Sequence, residues 1–500
     1  MNKEWNDALN EISDSNLQET GQYKPHRHFW LRAVAAVLVL VIGWGVIWHE
    51  LSPPPEAPKP VISGKEPARI PAPGEILSPG ALHLANLAAA PEYPEMILCP
   101  NWDDYEDYDE YSDDYDAWHL SCREQYDQPE GYADSLDSFF LRSIPEFLSG
   151  EGNRAYSPLN VYLATAMLAE ISGGNSRQQI LDLLGAESIE ALRTQAGHVW
   201  NAHYRNDGQS TSLLAGSLWL DDEYTFKNET VQTLVNSYYA SVFRGALESK
   251  ELNEQLRTWI NAQTGGLLQE QAGGLEMPEQ TVLALASTIF FSADWDVSFS
   301  EENNTEGLFH CKEFDQTTTF MNQSFTYGTY YWGEDFGAVR MELTGDNAMW
   351  LILPDEDKTV EDVLESGEYW TLTQDPGGWK NKKALKINLS LPKFDITAQA
   401  DLIDGMKKLG ITDVFDKDHS DFSPMVDGDG LFIGKIDHAA RVAVNEEGVI
   451  AAAYTVMMMY ATGMPTPPDG EIDFVLDRPF LFAVTSRDHL PLFTGVVEQP

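Results

Sequence analysis

The sequence predicts an α+β fold, on three observations. Apolar residues recur at helical spacing through the first part of the globular region, strand-like runs rich in β-branched and aromatic residues crowd its last part, and the two types never alternate regularly. A doubly wound parallel sheet would need that alternation. The chain has 500 residues, 43% of them apolar and 11% aromatic, which is enough to build a sizeable core.

Residues 1–28 are a polar lead, expected to be a cytoplasmic tail. Residues 29–48, FWLRAVAAVLVLVIGWGVIW, are the only long apolar run, and about 20 residues is the length a helix needs to cross a bilayer core. Trp30, Trp44 and Trp48 sit near its ends, while Lys24, Arg27 and Arg32 lie at its amino side. The expectation is a signal-anchor helix in the cell membrane, single-pass, with everything downstream extracytoplasmic. The alternative is a cleaved leader and a secreted protein. Residues 49–98 form a linker whose stretch LSPPPEAPKPVISGKEPARIPAPGEILSPG is rich in proline and suits an extended spacer.

Residues 99–130 are acidic. In NWDDYEDYDEYSDDYDAW, 101–118, carboxylates are interleaved with Tyr105, Tyr108, Tyr111 and Tyr115. Charge repulsion makes this a disordered tether, or else an acidic-aromatic ligand for a basic surface, on a partner or on its own domain. Cys99 and Cys122 flank it, and an oxidising compartment could bridge them, leaving Cys311 as a free thiol.

From residue 131 to 500 the texture is globular. ADSLDSFFLRSIPEFL and SPLNVYLATAMLAEIS have helical spacing, the second after a Ser-Pro start that suits a helix entrance. QQILDLLG and LNEQLRTWINAQTGG end at glycine. QTVLALASTIFFSADW, AMWLILP, ALKINLSLPKFDI, FVLDRPFLFAVTS and PLFTGVVEQ read as strands. One stretch stands apart: VNEEGVIAAAYTVMMMYATGM, 444–464, carries no charged side chain from Val449 to Met464, in a chain of net charge −47. Loops are normally polar because they face water. This one has the composition of a strand meant for burial.

The ordered series NRAYSPLNVYLATAML, GGNSRQQILDLL, WINAQTGG, STIFFSADWDVSF, MWLILP, LSLPKFDI, LGITDVFD, DFSPM, KIDHAARVAVNEEGVIAAAYT and FVLDRPFLFAV resembles the serpin superfamily across residues 131–500. The last piece contains the Asp-Arg-Pro-Phe core of the family signature at Asp477 to Phe480. The resemblance implies three β-sheets, eight to nine helices and an exposed reactive centre loop, which is the uncharged stretch. It further implies a suicide-substrate inhibitor: a serine protease cleaves the loop, forms an acyl-enzyme, and is trapped when the loop inserts into the central sheet. The hinge would be Glu446, Glu447, Gly448, Val449, Ala451, Ala452 and Ala453. Val449 departs from the usual Thr or Ser but is β-branched and suits a sheet. The cleaved bond would be Thr462–Gly463, with Tyr460 and Met464 as neighbouring alternatives. A polar cluster beneath the sheet, the shutter, maps to Ser157, Asn160, Ser287 and His438, with the family's Ser and Asn exchanged between 160 and 287. Trp295 would mark the breach, where insertion starts.

The remaining classes fit poorly. With 32 basic residues against 79 acidic ones, nucleic acid is not expected as a partner. There is no G-x-S-x-G, no H-E-x-x-H and no P-loop, and the 11 histidines are scattered, so no catalytic residue, metal or cofactor is expected. The expected partner is a serine protease of elastase-like or chymotrypsin-like specificity, because Thr462 offers no basic side chain to a trypsin-like pocket. A monomer is expected, held at the membrane by its N-terminal helix. The alternative is a non-inhibitory binding or scaffold protein acting through the acidic Asp/Tyr segment.

Overall fold

Helices gather early and strands late, as the patterning predicts. The computed structural model describes residues 34–43, 84–449 and 469–500, apart from positions 95, 279 and 429. Among these are eleven α-helices, four of them of seven residues or fewer, and eighteen strands. The central sheet runs, from one edge, through Leu87–Ala89, Ala240–Gly245, Ser210–Asp221, Thr281–Asp294, Val34–Gly43, Phe432–Val444 and Phe394–Asp401. Arg205–Asn206 and Gly448–Val449 also pair into this sheet, and the remaining nine strands form a second network, because the 18-residue strand Asp315–Trp332 pairs along its length with Thr305–His310, Lys382–Pro392 and Phe336–Leu343. Two of the three expected sheets are thereby joined by one continuous strand.

The helix Pro158–Ile171 explains how the central sheet is backed. It starts at Pro158, whose missing N–H is no loss in a first turn. All 14 of its residues are buried, as expected of a helix that is apolar all round. Its polar members are Asn160, Thr165 and Glu170, and the Glu170 carboxylate meets Arg193 at 2.6 Å and the Tyr238 hydroxyl at 3.1 Å, so the buried charge is paired.

The expected membrane anchor is overturned. No helix among the described residues is long and apolar enough to cross a membrane. Val34–Gly43, from the middle of the proposed span, is instead a ten-residue strand with partners on both sides. The physical reason is that a run of Val, Leu, Ile and Ala is equally suited to a bilayer helix and to an interior strand buried on both faces, and apolar length alone does not separate the two. Flanking strands satisfy its backbone here.

The acidic segment also departs from a charge-repelled tether. Tyr108–Tyr126 is a helix, capped by Asp107, whose side chain accepts from the N–H groups of Asp109 and Glu110. Trp118 is its buried anchor, and its indole Nε1 donates to Asp207 Oδ2 at 3.1 Å. Gln125 Nε2 donates to Asn201 O at 2.9 Å, and the Tyr126 ring lies 4.5 Å from the Arg205 guanidinium and 4.7 Å from that of Arg487. Asp109, Glu110, Asp113, Asp114 and Asp116 face water, so the charges repel outward while one aromatic stripe docks. Tyr93 packs against Trp200, Tyr204 and Tyr239, so folded structure begins well before residue 131.

Asp207 is a hub for this docking. Buried beside Arg205 at 2.7 Å, it also accepts from the Cys122 thiol at 3.7 Å, and its carbonyl takes the Cys99 N–H at 2.6 Å. Both cysteines are thiols, not a disulfide. Burial, reinforced by the Asp207 charge, pushes Cys99 up to about 12, and burial pushes Cys122 up to about 11. Cys311 is a third, half-buried thiol.

Trp118→Ala is expected to destabilise the protein by about 3 kcal/mol, by loss of a buried ring and of the Asp207 bond. Thermal melting measures it, with the exposed Leu120→Ala as a control expected to stay within about 0.5 kcal/mol.

Candidate functional site

The site is the gap between the Thr281–Asp294 and Phe432–Val444 strands, which Val34–Gly43 fills, together with the chain that leaves the second strand at its top. Here Asn445 turns the backbone. Its side-chain Oδ1 accepts from the N–H groups of Glu447 and Gly448, both at 3.1 Å, which folds NEEG back toward the sheet. Gly448 and Val449 then pair with Asp294 and Ala293, and Val449 also pairs with Val444. Gly448 and Val449 therefore form a short strand between the ends of the two long ones. A Cβ on residue 448 would lie 2.3 Å from the Ala293 carbonyl oxygen and 2.7 Å from the Asp294 Cα, so only glycine permits this approach. Val449 is fully buried.

Glu446 is the buried acid of the hinge. Burial alone would raise its pKa, but an ion pair with Lys393 and a 2.6 Å hydrogen bond from Asn304 Nδ2 outweigh burial and hold it below the ordinary carboxylate value. Its carbonyl takes the Phe299 N–H at 2.9 Å. Trp295 lies at the same end of the gap, where its indole donates to Asn445 O at 2.7 Å and its N–H to Glu447 O at 2.9 Å. Trp295 and the Glu446, Glu447 and Gly448 stretch thus form one connected unit. Lys393 and Asn304 were not foreseen, since nothing local in LPKFDI or EENNTE marks a partner that only tertiary folding brings near. Asn445 was within reach of local reasoning, being an Asx turn just before a glycine.

The four polar residues predicted beneath the sheet do come together. Ser157 and Asn160 are the N-cap and third residue of the Pro158–Ile171 helix. Ser287 Oγ donates to Asn160 Oδ1 at 2.6 Å, and Asn160 Nδ2 donates back to Ser287 O at 3.4 Å. The Ser157 N–H donates to His438 Nε2 at 3.3 Å, and Ser157 Oγ donates to Leu492 O at 2.7 Å. The first turn of one helix thus holds both strands that flank the gap. The hydrogen bond shows how an exchange of Ser and Asn leaves both groups satisfied. Accepting at Nε2 requires a neutral imidazole, and burial lowers the His438 pKa to about 3. The Tyr156 ring packs edge-on at 5.5 Å.

Ala451, Ala452, Ala453, Thr462 and Gly463 lie outside the described residues. Among the described residues no group of three or more His, Cys, Asp or Glu could hold a metal ion. What the arrangement offers chemically is backbone pairing: Gly448 and Val449 seated between two strand ends, and a neutral polar cluster below.

Comparison with known proteins agrees with this geometry. A family model described as Serpin (serine protease inhibitor) matches residues 136–500. Serpin-ZX of Arabidopsis thaliana is 28% identical over 375 residues, 71% of this chain and 93% of its own. The leukocyte elastase inhibitor of Homo sapiens is 29% identical over 354 residues, 67% of this chain and 89% of its own. The solved native structure of the thermophilic serpin tengpin shares the fold with a TM-score of 0.64 at 23% identity, covering 75% of this chain and 95% of that one.

Two outcomes are expected. The imidazole of His438 titrates near 6.5 when unfolded and near 3 when folded, so its contribution to stability is complete above pH 6.5 and is lost as pH falls toward 3. At pH 5 the loss is about 2 kcal/mol, and melting curves of His438→Gln should be flatter than wild type over that window. Gly448→Ala should expel the hinge, speeding hydrogen exchange of the Val449 amide at least about tenfold, a change of about 1.4 kcal/mol in local opening.

Proposed function

Because the chain belongs to the serpin family, we propose that it inhibits a serine protease as a suicide substrate, using the hinge and the gap below it. The protease serine attacks the carbonyl carbon of Thr462, the bond to Gly463 breaks, and the new amine leaves with a proton delivered by the protease's histidine. The freed segment then extends the strand that Gly448 and Val449 have started. Insertion draws the acylated protease along before water can release it.

The observation that carries this reading is the pairing of Val449 with Val444 on one side and Ala293 on the other, the place where insertion of the freed segment would begin. The composition of the following residues supports it: Ala451, Ala452 and Ala453 are small, and no charge follows until beyond Met464. An unpaired charge on a buried strand would cost several kcal/mol. The roles of Ser157, Asn160, Ser287 and His438 as a shutter, and of Trp295 as a breach residue, rest on the same reading. An uncharged Thr462, and relatives named for leukocyte elastase, favour an elastase-like or chymotrypsin-like target.

A second reading, a non-inhibitory binding protein, draws on the exposed acidic face of Tyr108–Tyr126 and on the exposed Tyr108 and Trp102 beside it. A basic protein surface would be its partner.

Incubation with elastase-like and chymotrypsin-like proteases is expected to yield an SDS-stable complex and a C-terminal fragment that starts near Gly463. Ala451→Arg should convert the protein to a substrate, cut without complex formation, detected by gel and by the number of inhibitor molecules consumed per protease. Unchanged trapping by Ala451→Arg would contradict insertion, and cleavage with no complex from any variant would leave the binding reading.

A further inference from the structure

The gap that the reactive loop would need is not vacant. Val34–Gly43 runs antiparallel to both flanking strands, with Ala35 opposite Phe290 and Arg441, Ala36 opposite Ile289 and Ala440, and Leu38 opposite Ser287 and His438. It lies in line with the hinge. Val449 pairs with Ala293, and Val34 pairs with Phe291, two positions further down the same strand. Continuing the register of Val449 on either side would set residue 451 opposite Phe291, and residue 452 opposite Phe290 and Arg441. Those are the partners of Val34 and Ala35.

The two segments also match in composition. VAAVLVLVIG, 34–43, and AAAYTVMMMY, 451–460, are both free of charge, and both place Ala at their second and third positions. A slot with one row of N–H and C=O groups on each wall can accept only one strand. We propose that residues 34–43 are a built-in competitor of the reactive loop, occupying the loop's place in the central sheet, so that trapping a protease requires this segment to withdraw. The inference rests on the proposed inhibitory function for its consequence, while the occupancy itself stands on the pairing alone. Withdrawal exposes the walls at Ser287 and His438, the two strand positions held by the first turn of the Pro158–Ile171 helix. The polar cluster and the competitor thus meet at one level of the sheet.

The experiment uses the full chain. Val37 and Ala439 are register partners, and paired antiparallel Cα atoms, about 4.5–5.5 Å apart, fall within disulfide range. Val37→Cys with Ala439→Cys should therefore cross-link on mild oxidation with diamide, the 37–439 linkage being read by peptide mass spectrometry. In wild type, which needs no variant to fold, amides of residues 34–43 should exchange at least about a hundredfold more slowly than an unstructured peptide of that sequence. Absence of the cross-link together with unprotected amides overturns the occupancy. Leu38→Asp with Val39→Asp should then accelerate SDS-stable complex formation at least about tenfold. It should also let loop cleavage raise the melting temperature, a gain that wild type, its slot already filled, shows weakly. Trapping by wild type as fast as by the double variant, with the amides protected, overturns the competition. Protection with no complex from either protein leaves the occupancy standing and defeats the inhibitory function instead.

Discussion

Two strands, Thr281–Asp294 and Phe432–Val444, lie one strand's width apart, and the backbone groups along their facing edges must be satisfied by something. Each edge would otherwise leave a row of polar groups inside the protein, at a penalty comparable to the loss of a hydrogen bond for every orphan. The helix behind them is wholly apolar except for paired Glu170 and the polar residues near its start, so water is poorly placed to supply the missing partners. A third strand is the physical solution. The pairing of Gly448 and Val449 and the N-terminal strand are both answers to this requirement.

The polar residues near the gap show how such a site remains stable without becoming rigid. Ser157 and Asn160 reach one wall each from a single helical turn, through neutral groups whose bonds do not depend on charge pairing. Neutral hydrogen bonds contribute modestly and can be exchanged for others at small cost. The hinge is held differently, by the Glu446 to Lys393 ion pair and the Asn304 bond, which fix one end of the moving chain to the body of the protein.

Much of this was legible in the sequence. The ordered motifs from residue 131 onward carry the family, and the match of Glu446, Glu447 and Gly448 to a hinge falls where the chain turns back to the sheet. The exchange of Ser and Asn at 160 and 287 could be anticipated as chemically neutral, and the 2.6 Å bond between them is the reason. The place of residues 34–43 was not legible, because hydrophobic length is common to bilayer helices and interior strands, and the deciding fact is the pair of strands elsewhere in the chain that flank them. Nor was the docking of the acidic helix. Its charge pattern was plain, but Trp118 and Tyr126 act through Asp207, Arg205 and Arg487, residues whose proximity depends on tertiary structure.

The cysteines near Asp207 carry a consequence for chemistry in the protein's surroundings. A thiol attacks oxidants and electrophiles as its anion, and at neutral pH a group pushed up to about 11 presents that anion in about one molecule in ten thousand. Cys122 and Cys99 are accordingly slow nucleophiles although both reach the surface in part. The attachment of the acidic helix, made through Trp118, Tyr126 and Asp207, thus sits beside thiols that are almost wholly protonated at neutral pH and needs no cystine bridge.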